Sequence, residues 1–214
     1  MKKIVLKKGE ALMLRTCASD GTSYGGFKWP KKGAVKCDDW QPVAECGHGL
    51  HGLLWGQGDG SLLDWSEAAA WLVVRVTLKS VVKIDNDKVK VPGGVVEYFG
   101  DGATAVSLIT PFAPAGTVIV GGTEIVGDGG TAIVGDGGTA IAGDGGTATA
   151  GDGGTATVGY GGTATVGYGG CISILYWNGQ KYRRACFEVG EDGIEPDMPY
   201  TVDEKGKAIK GVKK

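Results

Sequence analysis

The sequence predicts an α+β N-terminal domain at residues 1–110, an all-β, short glycine-rich β-solenoid at 111–170, and a C-terminal segment at 171–214. Three observations carry this prediction. An eight-residue phrase repeats through the middle of the chain, strand and helix patterns mix before it, and an Asn-Gly turn joins two apolar runs after it. We expect the last segment to cap the solenoid with β-hairpins and to end in a basic tail.

The N-terminal domain is predicted from a change of pattern within "SLLDWSEAAAWLVVRVTL" at 61–78. Asp64 is placed to cap a short helix through Ala70, with Glu67 at the capping-box position. The run "WLVVRVTL" has the β-branched density of a buried strand. Two further short strands follow, with a turn expected at Asn86-Asp87.

The solenoid is predicted from six octads, which run from "GGTEIVGD" (121–128) to "GGTATVGY" (161–168). Because strand side chains alternate between faces, octad positions three and five (Thr with Ile or Thr) share one face, and positions four and six (mostly Ala or Val) share the other. Stacked octads would place equivalent strands ~4.8 Å apart, with the small residues inside. If two octads make one coil, the six octads give about three coils; the sequence leaves the number of octads per coil open. Disorder is the alternative, because a glycine-rich chain buries little.

The C-terminal hairpin is predicted from "CISILYWNGQKYRRACFEV". Asn178-Gly179 is a favoured two-residue type I′ turn, which places Trp177 opposite Gln180 and Cys171 opposite Cys186. The segment "PYTVDEKGKAIKGV" predicts a last hairpin around Lys205-Gly206.

Charge and cysteine content bear on partners and location. The formal net charge of −2 makes nucleic acid an unlikely partner, and no run of the sequence is apolar enough for a membrane span. Five cysteines, an odd number, together with an N-terminus unlike a secretory signal, predict a cytoplasmic protein. Residues 115–170 contain five acidic residues and no Lys or Arg, so the solenoid is expected to be acidic.

The octads suggest three kinds of binding site. Their T-x-T pattern resembles the outward threonine rows of ice-binding repeats, and "GYGGTATVGYGG" resembles ice-nucleation repeats. The candidate residues are Thr147, Thr149, Thr155, Thr157, Thr163 and Thr165. The aspartates at the corners either bind calcium or are simply solvated, and solvation is favoured. Tyr160 and Tyr168 replace Asp in the last two octads and could contact a protein partner or pack on the hairpin.

Cys46, His48 and His51, with Cys37 nearby, contain enough nitrogen and sulfur ligands for zinc. Their spacing fits no common zinc pattern, so no metal site is predicted.

The N-terminal domain resembles an uncharacterised domain family of bacterial and phage-encoded proteins. The resemblance covers roughly residues 12–105 and is carried by "SYGGFKWP" and "CGHGLHGLLWGQGDG". Some members of that family have similar octad arrays followed by a similar hairpin. The resemblance implies a shared architecture and brings no activity with it.

A fainter resemblance points to ADP-ribosyltransferases, since "MLRT", "GHGLH", "SEAAAW" and "LVVRV" occur in the order of that fold. It implies that Arg15 holds the phosphates of NAD and that His51 stands near the nicotinamide. Glu97 is the nearest candidate for the catalytic acid. The alternative is that Arg15 and His51 are structural.

The sequence therefore predicts a non-enzymatic structural or protein-interaction module without a cofactor, in which an acidic solenoid meets a protein partner or a second copy. The alternative is an NAD-using ADP-ribosyltransferase in residues 1–110. Ice binding and calcium binding are the weaker possibilities.

Overall fold

The computed structural model describes residues 4–84 and 88–212, so the turn expected at Asn86-Asp87 lies outside the described residues. The chain forms two compact units, and the boundary between them falls between Ile119 and Val120.

The first unit is a seven-stranded sheet with one short α-helix. In chain order its elements are β1 (Glu10–Ala18), β2 (Gly33–Lys36), β3 (Leu50–Leu54), β4 (Ala69–Thr77), β5 (Val82–Lys83), β6 (Lys88–Val91), β7 (Gly93–Gly100) and α1 (Gly102–Ile109). The strand order in the sheet is β2-β7-β4-β1-β3-β6-β5. The neighbouring strands are antiparallel throughout, which is the pattern of an α+β unit.

The centre of this sheet is the antiparallel pair β1–β4, which runs from Glu10 opposite Thr77 to Ala18 opposite Ala69. Both strands are buried along most of their length because they are apolar on both faces. Helix α1 contacts β4, β1 and β7, and its Ala105 and Ile109 are fully buried.

The prediction of a helix at residues 64–70 is wrong. The Asp64 carboxylate accepts the backbone N–H of Ser66 at 2.9 Å, a local turn that competes with helix capping, and β4 already begins at Ala69. The helix lies instead at Gly102–Ile109, where Asp101 caps the backbone N–H of Thr104 at 2.8 Å.

The second unit contains a β-solenoid of about three turns over residues 123–174, as the sequence predicts. Its strands are β8 (Thr123–Val126), β9 (Thr131–Ile133), β10 (Thr139–Ala142), β11 (Thr147–Ala150), β12 (Thr155–Val158), β13 (Thr163–Val166), β14 (Cys171–Trp177), β15 (Tyr182–Glu188), β16 (Tyr200–Val202) and β17 (Ala208–Lys210). They form two sheets, ordered β15-β14-β12-β10-β8 and β17-β16-β13-β11-β9.

Parallel pairing with a step of sixteen residues shows that two octads make one coil. Thr139 pairs with Thr155 in one sheet, and Thr147 pairs with Thr163 in the other. The alanines and valines of the octads point inward, and Ala140, Ala148, Ala156 and Ala164 have no exposed surface. Between the octad strands this core is lined by alanine and valine, and the larger Ile172 and Ile174 enter it only in β14, after the last octad.

Antiparallel strands end both sheets on the C-terminal side. β15 pairs with β14, while β16 pairs with β13 and forms the predicted last hairpin with β17. The predicted register of the first hairpin is wrong by two residues, because Trp177 pairs with Tyr182 and Cys171 with Glu188. The reason is a longer loop, in which the Asn178 side chain accepts the backbone N–H groups of Gln180 and Lys181.

Candidate functional site

The threonines of the octads form rows on the outside of both sheets. Thr147 and Thr149 on β11 lie beside Thr163 and Thr165 on β13, so four of the six candidate threonines form a two-by-two array on one sheet. Thr155 and Thr157 lie on the other sheet, between Thr139 and Ile141 on one side and Cys171 and Ser173 on the other. The rows are uncharged, and each threonine is half-buried beside its neighbours.

The corners of the solenoid are held by a ladder of aspartates. Oδ1 of Asp128 accepts the backbone N–H of Asp144, and Oδ1 of Asp144 accepts that of Tyr160, at 3.0 and 2.8 Å. At the next corner Oδ1 of Asp136 accepts the backbone N–H of Asp152 at 3.0 Å, and Oδ1 of Asp152 accepts the backbone N–H of Tyr168 at 2.7 Å. Each carboxylate thus joins its coil to the following one by a charge-assisted hydrogen bond.

This ladder explains the glycines around each Asp. A Cβ on Gly143 would lie against the backbone N of Asp128 at 2.6 Å and against its carboxylate. Gly145 has a φ of +66°, the left-handed region in which a side chain is strained, and a Cβ on Gly146 would meet the Cβ of Ala142 at 2.7 Å. The corner sequence G-D-G-G is therefore a packing requirement of stacked coils.

The ladder also explains where Asp gives way to Tyr. Sixteen residues after Tyr160 and Tyr168 the chain is in β14 and β15, so there is no further corner whose N–H a carboxylate could accept. The ring of Tyr160 instead contacts the ring of Tyr182 edge-on, with centroids 5.9 Å apart, and Tyr182 contacts Trp177 at 5.1 Å. Among the described residues Tyr168 makes no such ring contact, and 68% of it is exposed.

In the first unit Arg15 is held in the sheet by backbone oxygens. Its guanidinium donates to the Thr16 carbonyl through Nε and Nη2, at 3.2 and 3.0 Å, and to the His51 carbonyl through Nη1 at 3.2 Å. It also lies over the Trp29 ring, 4.2 Å from the centroid. Burial lowers the pKa of Arg15 to about 10, which leaves it charged at neutral pH.

His51 lines a cavity of about 560 Å³ together with Arg15, Trp29 and His48. Burial, reinforced by the charges of Lys88 and other nearby cations, lowers the pKa of His51 to about 4, so the ring is neutral at pH 7. Its Nε2 atom is buried and has no hydrogen-bond partner within the described part of the chain.

Glu97 is not brought to this cavity. Its carboxylate is bound to Arg75 at 2.8 Å, and Arg75 also pairs with Glu10 at 2.6 Å. Arg75 stands opposite Leu12, three residues from Arg15 on β1, so this ion-pair network lies on the other face of the sheet. The structure therefore places Arg15 and His51 beside one cavity and separates them from the third residue of the proposed transferase set.

Among the described residues, no group of three or more His, Cys, Asp or Glu side chains is placed to hold a metal ion. Asp39 instead accepts a hydrogen bond from Cys37 at 2.7 Å and contacts His48 Nδ1 at 2.9 Å. All five cysteines are free thiols. No helix in the described ranges is long and apolar enough to cross a membrane.

Sequence reasoning missed the exposed aromatic residues Trp177 and Tyr182, because the predicted turn placed Gln180 opposite Trp177. It also missed the hydrogen bonds by which each corner aspartate joins its coil to the next. The signal was present in the recurrence of Asp at sixteen-residue intervals, each followed by Gly fifteen residues later.

Comparison with known proteins connects about half of the chain to ice nucleation proteins. The chain is 36% identical over 106 residues to an ice nucleation protein of Pseudomonas fluorescens, 35% identical over 105 residues to ice nucleation protein InaU of Pantoea ananas, and 34% identical over 102 residues to that of Pseudomonas syringae. These matches cover 49%, 49% and 47% of this chain but only 9%, 10% and 9% of the relatives. No protein-family model matches the chain, and no solved structure matches it significantly.

The prediction of a cytoplasmic location is wrong, because it conflicts with the match to ice nucleation proteins. The odd number of cysteines was a poor guide, because an unpaired thiol shows only that it has formed no disulfide and does not identify the compartment of the protein. The β-solenoid and the ice nucleation relatives together fit a non-enzymatic repeat module.

Proposed function

We propose that the protein is a non-enzymatic module whose solenoid is a rigid support for protein binding, and that a second copy of the chain is its simplest partner. The observation that carries this proposal is the outer surface of the solenoid. The parallel strands of both sheets present uncharged rows of threonine and isoleucine on their outer faces. Ile125 is 69% exposed and Ile133 is 48% exposed. Surfaces poor in charge and rich in apolar atoms cost little to desolvate on binding.

Rigidity supports the same role. The aspartate ladder and the parallel pairing leave few ways for the coils to move, so a partner would meet a preformed surface and would pay little ordering entropy. The relatives are named for ice nucleation and match about half of this chain, which fits a surface-presenting repeat better than an enzyme.

Sedimentation of the full chain from micromolar to millimolar concentration tests the proposal. We expect reversible association, seen as a weight-average mass that rises with concentration. A monomer at every concentration would contradict self-association as the function.

Ice contact is the second candidate, and the two-by-two array of Thr147, Thr149, Thr163 and Thr165 favours it together with the names of the relatives. Droplet freezing separates the candidates. If the array binds ice, the wild-type chain raises the freezing temperature of droplets or shapes ice crystals, and Thr149→Lys with Thr165→Lys abolishes the effect. If neither the wild type nor the variant affects freezing, the ice candidate is rejected and the protein-binding one remains.

A further inference from the structure

The cavity beside Arg15 in the first unit has a volume of about 560 Å³, and the function proposed for the solenoid gives it no role. This volume lies in the range of pockets that bind small organic ligands. Part of the wall is aromatic: Tyr24, Phe27 and Trp29 line it, and the rings of Phe27 and Trp29 meet edge-on with centroids 5.5 Å apart. Tyr24 is fully exposed. Such a wall suits a planar ligand that contains a ring.

Arg15 brings to this cavity a positive charge that no carboxylate of the described chain neutralises. Its hydrogen bonds run only to the carbonyl oxygens of Thr16 and His51. They leave one N–H on Nη1 and one on Nη2 without a partner in the described ranges. Because the surrounding protein excludes water without supplying a counter-charge, burial lowers the pKa of Arg15 to about 10. A bound anion would offset this unfavourable burial of charge.

Arg75 on β4 provides the contrast within the same sheet. Its guanidinium donates to Glu97 at 2.8 Å and to Glu10 at 2.6 Å, and the hydrogen bond to Glu97 is the main reason why its pKa is raised. Arg75 also lines a cavity, of about 550 Å³. Two cavities of similar volume therefore differ in one respect, since the arginine of the second already has its anions and Arg15 does not.

The other polar groups of the first cavity are compatible with an anionic ligand. Lys88 lines it and adds a second positive charge. Asp39, the one carboxylate among the described lining residues, is occupied by contacts with Cys37 at 2.7 Å and His48 at 2.9 Å. The buried Nε2 of His51 has no partner in the described chain. Buried nitrogens are seldom left in that state, so His51 is a second group that a ligand oxygen could satisfy.

We propose that this cavity binds a small aromatic carboxylate, with its carboxylate on the unpartnered N–H groups of Arg15 and its ring against Phe27 and Tyr24. Carboxylate and guanidinium groups are both planar and can form two parallel hydrogen bonds, which favours this anion. The ring of the ligand gives the aromatic wall a role that an inorganic anion would not use. The inference concerns the first unit and goes beyond the function proposed for the solenoid.

Isothermal titration calorimetry of the full chain with 2-naphthoate tests the proposal. 2-Naphthamide has the same rings without the charge, and inorganic phosphate has charge without rings. We expect saturable binding of 2-naphthoate and affinities about tenfold weaker or more for the other two, because each lacks one part of the contact. If 2-naphthoate and benzoate both fail to bind at millimolar concentration, or if naphthamide or phosphate binds as tightly as 2-naphthoate, the proposal is overturned.

Two variants locate the binding in this cavity. Arg15→Met removes the charge and should weaken 2-naphthoate binding about tenfold or more. Tyr24→Ala removes a fully exposed ring and should weaken binding without affecting the fold. Tyr168→Ala, which removes an exposed tyrosine of the second unit, is the matched control and should bind as the wild type does.

Far-UV circular dichroism verifies that each variant is folded, and Tyr24→Ala against Tyr168→Ala remains decisive if Arg15→Met unfolds. Wild-type affinity in a folded Arg15→Met variant overturns the proposal. So does an affinity that falls equally in the two tyrosine variants or in neither.

Discussion

Asp144 accepts the backbone N–H of Tyr160 through its Oδ1 atom at 2.8 Å, across the step between two successive coils. This contact joins residues sixteen positions apart and repeats at every corner that has a coil after it. The aspartate in each octad therefore stabilises the stack of coils by a hydrogen bond to the following coil.

Replacing Asp144 by Ala should lower the free energy of unfolding by about 1 kcal/mol, because the Tyr160 N–H loses its protein acceptor at a corner that water can reach. Asp144→Asn keeps an acceptor oxygen in the same place and should lose less than half as much. Urea unfolding of both variants measures the difference. Equal losses would show that the carboxylate charge, rather than the hydrogen bond, matters at this corner.

Gly143→Ala should destabilise the solenoid by about 1–3 kcal/mol, since the new Cβ meets Asp128 and the coil must shift. Gly127 is the matched control. It holds the same octad position but has no aspartate in a preceding coil, and a Cβ there meets nothing within 4 Å. Thermal unfolding of the two alanine variants should separate them clearly, and a Gly127→Ala variant as unstable as Gly143→Ala would contradict this explanation of the glycines.

NAD at millimolar concentration should leave the melting temperature unchanged. Arg15 is bound to backbone carbonyls, and Glu97 is paired with Arg75 on the opposite face of the sheet, so the three transferase candidates do not converge. Differential scanning fluorimetry of the wild type and of Arg15→Lys tests this. A melting temperature that rises with NAD in the wild type alone would favour the enzyme instead.

The first unit should lose stability as the pH falls below about 6.5. The pKa of His51 is about 4 in the folded chain, below the usual value of 6.5, so the unfolded chain binds more protons in this interval. Stability should be level above pH 6.5 and fall towards pH 4. His51→Gln, which cannot titrate, should flatten the profile measured by urea unfolding at pH 7, 6 and 5. An unchanged slope in this variant would show that another group is responsible.

The solenoid could be predicted from the sequence because the inward or outward direction of each side chain depends only on its position within one octad. Alternation within four residues decides which side chains point inward, and Ala148 and Thr149 differ in burial as the pattern requires. The hairpin register could not be predicted, since it depends on whether the Asn178 side chain or the backbone closes the loop. The helix was misplaced for a related reason, because Asp64 and Asp101 both suit a cap and only packing on β4 selects one.

For the candidate sites too, features set by local strand alternation could be predicted from the sequence, and features set by tertiary contacts could not. The outward position of the threonine rows followed from strand periodicity. The contact between the rings of Tyr160 and Tyr182 did not, because the two residues are 22 positions apart and meet only after the coils have stacked.

The most direct test of the solenoid is to place a lysine at two adjacent positions of β11. Ala148 has no exposed surface and faces the core, whereas Thr149 faces outward. Ala148→Lys would bury a charge in a core that the octads line with alanine and valine, so circular dichroism should show the second unit unfolded at 25 °C. Thr149→Lys should keep the wild-type spectrum and melt within a few degrees of the wild type. If Ala148→Lys folds normally and Thr149→Lys does not, the strands face the other way and the account of the solenoid is wrong.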